Sequence, residues 1–112
     1  MPSRYHSPSE LRERVTIARE SGVSDGGGGR ELTWSSVCEV AAKVMPISGR
    51  EVEVAEGQQS EVSTLIVIRH RTDVGSGMRA TVRGVTYNIR TAVDPELRRE
   101  WLELLCDRGV AV

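Results

Sequence analysis

The sequence is poor in the residues that build metal and cofactor sites. Its 112 residues include no phenylalanine and only two each of cysteine, histidine, tryptophan and tyrosine. Cys38 and Cys106 form no CxxC pair, so we expect neither a structural zinc site nor a cofactor. The default for such cysteines in a reducing compartment is two free, buried thiols.

Long apolar segments are also lacking. The longest clear aliphatic run, residues 65–68, is far shorter than the roughly 20 apolar residues of a membrane-spanning helix. No apolar stretch follows Met1, so we expect no secretory signal and no membrane partner. The expected location is the cytoplasm.

The length bounds the organisation of the chain. A protein of 12.3 kDa with 38% hydrophobic and 28% charged residues has the balance of one small globular domain. Such a domain has no room for a large active site of many parts. Residues 1–10 are rich in proline and serine and are predicted to form a flexible N-terminal arm. Residues 11–112 are predicted to form the single domain.

Charge is balanced overall but uneven along the chain. With 15 basic and 16 acidic residues the net charge is −1, which gives little general attraction to nucleic acid. The only charged residues among residues 51–61 are acids, whereas residues 69–90 contain five arginines and one acid. These blocks are either two solvated faces, paired within the fold, or complementary surfaces that meet between copies. We call Glu51, Glu53, Glu56 and Glu61 the acidic block, and Arg69, Arg71, Arg79, Arg83 and Arg90 the arginine block.

Alternating polar and apolar residues predict most of the secondary structure. Period-two alternation with β-branched residues indicates strands at residues 14–19, 37–45 and 63–71, and Pro46 is expected to end the second of these. Residues 78–93 are predicted to form a β-hairpin that reverses at Gly84 and has one basic, solvent-facing side.

Two segments are less regular. Ser48 and Glu51 have the spacing of a capping box, which favours a short helix near residues 49–59. Asp94-Pro95 is typical of a helix start, whereas residues 101–106 alternate like a strand, so the last segment stays ambiguous. The predicted fold is mostly β: a small single-domain barrel or sandwich of five to six antiparallel strands with one short helix.

Four consecutive glycines interrupt the pattern after the first strand. Gly26, Gly27, Gly28 and Gly29 cannot lie inside a helix or strand at reasonable cost, so they predict a flexible loop. Neither a P-loop nor a dinucleotide-binding motif surrounds them, because both need spaced glycines in a defined strand–helix context.

Candidates for catalysis are weak. His70 has Asp73 nearby in sequence, but no serine or cysteine stands in a recognisable nucleophile motif, so no catalytic residue is assigned and an enzyme is not expected. A barrel that binds single-stranded nucleic acid is an alternative. It would need aromatic residues interleaved with basic ones, and the basic hairpin carries only Tyr87.

Several short segments occur together in a recognisable order. They are Arg14–Ile17, Trp34, Val44–Glu51, Ile66–Val74, Met78–Arg79, Gly84–Ile89 and Leu102–Cys106. In this order they resemble the phage head–tail joining family, the head-completion or stopper proteins of long-tailed phages, with relatives in prophages and gene transfer agents. The resemblance covers about residues 11–109.

The resemblance implies more than the periodicity does. Members are small β-barrels with a short helix that form rings below the portal and its adaptor, close the DNA channel after packaging and offer a docking face to the tail terminator or tail tube. It also implies that the last segment is a strand from about Arg99. A different neck protein, an adaptor or a tail terminator, is the alternative within phage structural proteins, and an adaptor would be mostly helical.

Ring assembly gives the charged blocks a function. Contacts in a cyclic ring join two different patches, so the acidic block of one copy and the arginine block of the next are candidates for that contact. The arginines are also candidates for nonspecific phosphate contacts with packaged DNA. The loop at Gly26–Gly29 is a candidate channel or interface loop. The protein is expected in the cytoplasm during assembly and then in the neck of the virion or phage-like particle.

Overall fold

The computed structural model describes residues 6–24, 30–53 and 59–108, which form six antiparallel strands. They close into a barrel in the order β1-β2-β3-β6-β5-β4, with β4 paired back to β1. The mostly β prediction and its strand number are confirmed. The strands are β1 Glu13–Ser24, β2 Arg30–Glu53, β3 Gln59–Arg69, β4 Arg79–Val82, β5 Val85–Val93 and β6 Trp101–Asp107, with 3-10 turns at Pro8–Glu10 and Pro95–Leu97.

Branched aliphatic side chains fill the barrel. Alternate residues of each strand point inward, so Val15 and Ile17 of β1 meet Ile66 and Ile68 of β3 in one buried cluster. Strand β6 contributes the buried Leu104 to the same cluster. With no phenylalanine available, complementary packing of these short side chains supplies the core.

Strands β3 and β6 are buried on both faces. Val67 and Leu105 have the opposite parity to the barrel cluster, yet they are buried too. Trp101 shares that outer face and is 2% exposed. Burial on both faces explains why residues 65–68 are a continuous apolar run rather than an alternating one.

The helix predicted near residues 49–59 is wrong. Residues 49–53 continue β2, and Gln59 begins β3, with Arg50 opposite Val62 and Glu53 opposite Gln59. Residues 54–58 lie outside the described part. The capping box is a local signal, and the predicted helix has only a thin apolar face to bury. Cross-strand pairing with β3 outweighs that signal.

Pro46 does not end the second strand, contrary to expectation. It lies opposite Thr64 within β2, and the register then shifts between Pro46 and Arg50. A proline lacks the amide that a ladder needs, so it is tolerated here next to an irregularity in the pairing. Strand β2 therefore runs from Arg30 to Glu53 and also includes Trp34, which the sequence placed before the strand.

The ambiguous last segment is a strand, as the family resemblance implied. The helix-start residues form only the turn Pro95–Leu97, because Leu97 and Arg99 take positive φ angles of 52° and 55°, which no helix can follow. The carboxylate of Asp94 accepts the Arg99 backbone N–H at 3.1 and 3.2 Å. Strand β6 then begins at Trp101.

The hairpin of β4 and β5 matches its prediction. Arg83 and Gly84 have φ angles of 50° and 80°, the two positive values that a two-residue type I′ turn requires. Ala80 and Val82 are buried, and Arg83 is exposed on the opposite face.

The N-terminal residues that the structure describes lie against the barrel. His6 is buried, its Nε2 lies 2.6 Å from Glu103 Oε2 on β6, and its ring meets the Trp101 ring edge-on at 5.7 Å. Glu10 accepts the Ser7 backbone N–H. Residues 1–5 lie outside the described part, and the boundary at residue 10 stays a prediction. No described helix is long and apolar enough to span a membrane.

Two hairpins extend beyond the closed part of the barrel: β1 with β2 beyond Ala18, and β2 with β3 at Arg50–Glu53 and Gln59–Val62, where β6 does not pair with β3. Strand β4 pairs with β1 only over Thr16–Ala18, whereas β1 and β2 stay paired from there to Ser24 and Arg30. We call the paired segments Ala18–Ser24 and Arg30–Ser36 the first ribbon. The dimensions of 54 × 28 × 26 Å and a radius of gyration of 14.9 Å, against about 13 Å for a compact chain of this length, agree with such extensions.

The turn geometry yields a stability prediction. Replacing Gly84 with alanine is expected to destabilise the protein by about 1 kcal/mol, because φ of +80° is costly for any residue with a Cβ. Chemical denaturation measures the change. Gly75→Ala is the matched control, since Gly75 has open space and no positive φ. Equal losses in the two variants would contradict this account of the turn.

Candidate functional site

The described surface carries ion pairs, cation–π contacts and a shallow groove. No group of three or more metal-ligating side chains occurs within the described ranges. A shallow groove of about 280 Å³ lies beside the root of the first ribbon and is mostly polar. It is lined by Arg19, Ser35, Ser36, Val37 and Asp73.

Three members of the arginine block pair with acids of their own chain. Arg71 donates to both oxygens of Asp73 at 2.9 Å, just after β3. This ion pair holds the pKa of Asp73 below its usual value and raises that of Arg71. The pair sits within one turn of chain, so local sequence alone brings it together.

The second pair joins distant segments. Arg83, at the tip of the β4–β5 hairpin, donates to both carboxylate oxygens of Glu13 at 2.7 and 2.8 Å. Glu13 begins β1, 70 residues earlier. The arginine side chain is 78% exposed, so the pair is worth less than about 1 kcal/mol to folding.

The third pair is more enclosed. Arg90 of β5 donates to one oxygen of Asp107 on β6, and the buried Asn88 donates to the other at 2.9 Å. The side chain of Asp107 is 14% exposed. One carboxylate thus joins two strands near the end of β6, in a setting where hydrogen bonds to charged groups count for more.

The remaining two arginines lie over tryptophan rings. The guanidinium carbon of Arg79 is 4.0 Å from the centroid of Trp34, and that of Arg69 is 4.7 Å from the centroid of Trp101. Both distances are typical of cation–π contacts. The Arg79 contact joins β4 to the first ribbon, and the Arg69 contact covers the outer face of β6.

The acidic block is only partly within the described structure. On the backbone, Glu51 of β2 lies opposite Glu61 of β3, and Glu53 lies opposite Gln59. Glu56 and the loop glycines 26–29 fall outside the described residues. None of the three arginine pairs uses an acid of this block, since the partners are Glu13, Asp73 and Asp107.

The weak catalytic candidate does not assemble. Asp73 is engaged by Arg71, and His70 Nε2 instead lies 3.7 Å from Asp94. The structure therefore does not bring His70 and Asp73 together as a pair. The contact of His70 with Asp94 is an ion pair only when the imidazole is protonated.

The two cysteines are free and differ in exposure. Cys106 is buried, whereas Cys38 is only half-buried, so one of the two expected buried thiols is more open than expected. Burial raises the pKa of Cys106 to about 12, and burial also raises the pKa of Cys38. Both thiols stay protonated at neutral pH, which makes them poor nucleophiles.

Sequence reasoning missed four residues that organise this surface: His6, Glu13, Glu103 and Asp107. Their partners lie between 17 and 97 residues away in the chain. No local motif marks such pairs. Only the alternation of β6, which puts Glu103 on the outer face, carried a signal for one of them.

Together these features define a small closed β-barrel that carries ion pairs and cation–π contacts on its described surface. A family model for phage head completion proteins matches residues 6–109. The chain therefore belongs to the phage head completion protein family. It has a structural role in the head–tail region of a phage or phage-like particle, as the sequence resemblance indicated.

Two solved structures share the fold. A protein from Shigella flexneri 2a, solved in solution, is 24% identical to the chain, with a TM-score of 0.72, and the match covers 96% of this chain and 100% of that one. A chain in the virion of a native gene transfer agent particle is 23% identical, with a TM-score of 0.59 and coverages of 88% and 94%. No curated protein matches the chain.

The ion pairs yield a comparative prediction. Asp107→Ala is expected to lower the free energy of unfolding by about 1–3 kcal/mol, because it removes the acceptor shared by Arg90 and the buried Asn88. Glu13→Ala is the matched control and is expected to cost less than about 1 kcal/mol. Urea denaturation of both variants tests the order. A larger loss in Glu13→Ala would reverse our assignment.

The thiols yield a chemical prediction. At pH 8 iodoacetamide is expected to modify Cys38 well before Cys106, because the thiolate fraction is small at a pKa of about 12 and Cys106 is buried. Mass spectrometry of the intact protein and its peptides follows the reaction. In denaturant the two rates should converge. Modification of native Cys106 as fast as Cys38 would refute its inert, buried character.

Proposed function

We propose that the chain assembles as a ring below the portal and its adaptor, closes the DNA channel after packaging and provides the surface on which the tail docks. Membership of the phage head completion family across residues 6–109 is the observation that carries this proposal. The structure supports it indirectly. A barrel with a filled core leaves only its exterior and its extensions for function.

The ring requires contacts between unlike surfaces of neighbouring copies. The acidic block and the arginine block are proposed as one such pair. The contacts within the chain narrow this proposal, because Arg71, Arg83 and Arg90 already have carboxylate partners. Contacts with a neighbour would therefore add to existing pairs rather than satisfy bare charges.

The neighbours follow from the position in the particle. The head side would meet the portal or adaptor, and the opposite side would meet the tail terminator or tail tube. The protein would be cytoplasmic before it joins the particle and then part of the neck. Nonspecific contact of the arginines with packaged DNA stays a proposal, and so does a place for Gly26–Gly29 at the channel or at an interface.

The alternatives are less well supported. The described chain is almost entirely strand, whereas an adaptor is expected to be mostly helical. A barrel for single-stranded nucleic acid would need open aromatic faces for stacking. Trp101 is buried, and Arg79 lies over one face of Trp34. A non-enzymatic, structural role is thus the function we infer.

Complementation of defective particles tests the proposal. Heads from a strain that lacks this gene are mixed with purified protein and then with tails, and tail attachment and nuclease-protected DNA are scored. We expect the heads to lose DNA without the protein, and to retain DNA and gain tails with it. Full heads that accept tails in its absence would overturn the proposed function.

Charge reversal tests the paired blocks. Glu53→Lys with Glu56→Lys is expected to weaken assembly on heads, and adding Arg79→Glu with Arg83→Glu should restore part of it. Assembly is scored by tail attachment and electron microscopy. Because Arg83 binds Glu13 and Arg79 packs on Trp34, the melting temperature of Arg79→Ala/Arg83→Ala serves as the folding control. If the variant with all four charge reversals assembles on heads no better than either double variant, the charge-pairing proposal is wrong.

A further inference from the structure

The first ribbon has two sheet edges that the described barrel leaves open. Strand β4 covers β1 only as far as Ala18, and β3 pairs with β2 only from Lys43 onward. Between these limits, the described strands pair Arg19–Ser24 and Arg30–Ser35 only with each other. Each of these segments thus presents a row of outward backbone groups, which is a template for another strand.

A two-stranded ribbon is marginally stable by itself in water. One contact at its root holds it to the barrel, where Arg79 of β4 lies over Trp34. Within the ribbon the hydroxyl of Thr33 donates to the carbonyl of Ser21 at 2.7 Å. Neither contact uses a strand pairing at the outer edges. A partner strand on each edge would complete its hydrogen bonding.

From these edges we infer that the first ribbon joins neighbouring copies of the chain, with the outer edge of β1 in one copy paired antiparallel to the outer edge of β2 in the next. The inference rests on the ring proposed above and names the contact that builds it. These two segments already pair antiparallel along their inner edges within each chain, over seven positions from Ala18 opposite Ser36 to Ser24 opposite Arg30, so their lengths and backbone courses match.

Symmetry favours this pairing over others. If β1 met β1, or β2 met β2, the contact would be isologous and would stop at a dimer. Pairing β1 with the next β2 uses two different edges and leaves one of each available for the following copy. The contact therefore continues from copy to copy, and a suitable rotation between copies closes the assembly into a ring. In that ring β1 and β2 segments alternate in one continuous sheet.

The groove at the root of the ribbon is compatible with an added strand. It lies beside Ser35 and Ser36 of β2, and its lining is mostly hydroxyl and charged groups rather than apolar side chains. A strand held by main-chain hydrogen bonds needs no apolar pocket for affinity.

Hydrogen exchange on the unmodified protein is the first test. Backbone amides of residues 19–24 and 30–36 are compared in the free protein and in the complex assembled on heads. Alternate amides in both segments are expected to exchange about tenfold or more slowly after assembly, the effect of one added hydrogen bond. Amides of β6 serve as the internal control and should stay protected throughout.

A pair of proline variants adds a genetic test. Successive amides of an antiparallel strand point alternately inward and outward, so of Ser21→Pro and Gly22→Pro one removes an amide facing β2 and the other removes an outward amide. The inward variant identifies itself by a lower melting temperature. The outward variant is expected to melt like the wild type but to lose about tenfold or more in assembly on heads.

The outcomes separate this inference from the proposed function. A wild-type ring with unchanged exchange in both segments, or an outward proline variant that assembles normally, overturns the ribbon contact and leaves the ring standing. Slower exchange together with loss of assembly supports the contact. A wild-type protein that forms no ring on heads overturns both.

Discussion

The fold depends on the insertion of β6 between β3 and β5. This last strand pairs with β3 from Trp101 to Cys106 and with β5 from Glu103 to Asp107, so it connects two strands that are otherwise joined only through β2, β1 and β4. It is also buried on both faces: Leu104 enters the barrel core, while Trp101 lies under His6 and Arg69 outside. The barrel therefore cannot close until β6 is in place. A topology with so many distant pairings is expected to fold slowly.

Alternation in the sequence was enough to predict the elements that obey a local rule. The first half of β1 and the β4–β5 hairpin have period-two patterns, β3 is marked by its short apolar run, and Gly84 marks the turn. Strand β2 was harder, because Pro46 and the capping box at Ser48 gave local signals for an end and a helix. Pairing with β3 on either side of an irregularity carried the strand past both. The extent of β2 is therefore set by its tertiary pairing with β3, which local sequence does not reveal.

The surface shows the same division. The charged blocks were visible in the sequence, but their partners were not, because Arg83 meets Glu13 across 70 residues and His6 meets Glu103 across 97. These contacts change the meaning of the arginine block. Three of its members pair with acids of their own chain, and two lie over indole rings. The arginine block is thus engaged within its own chain, by residues that lie outside the acidic block.

Because these arginines already have partners within the chain, backbone pairing is a stronger basis for assembly than charge pairing. Exposed ion pairs contribute little free energy and weaken as salt is added. When an arginine already has a partner within its chain, a new contact with a neighbouring copy adds only the difference between the two pairings. Sheet edges are different, because every second residue of an added strand bonds through its backbone N–H and C=O, whichever side chain other than proline it carries. A contact carried by backbone geometry needs the strand and its register, which alternation alone can preserve while particular charges change.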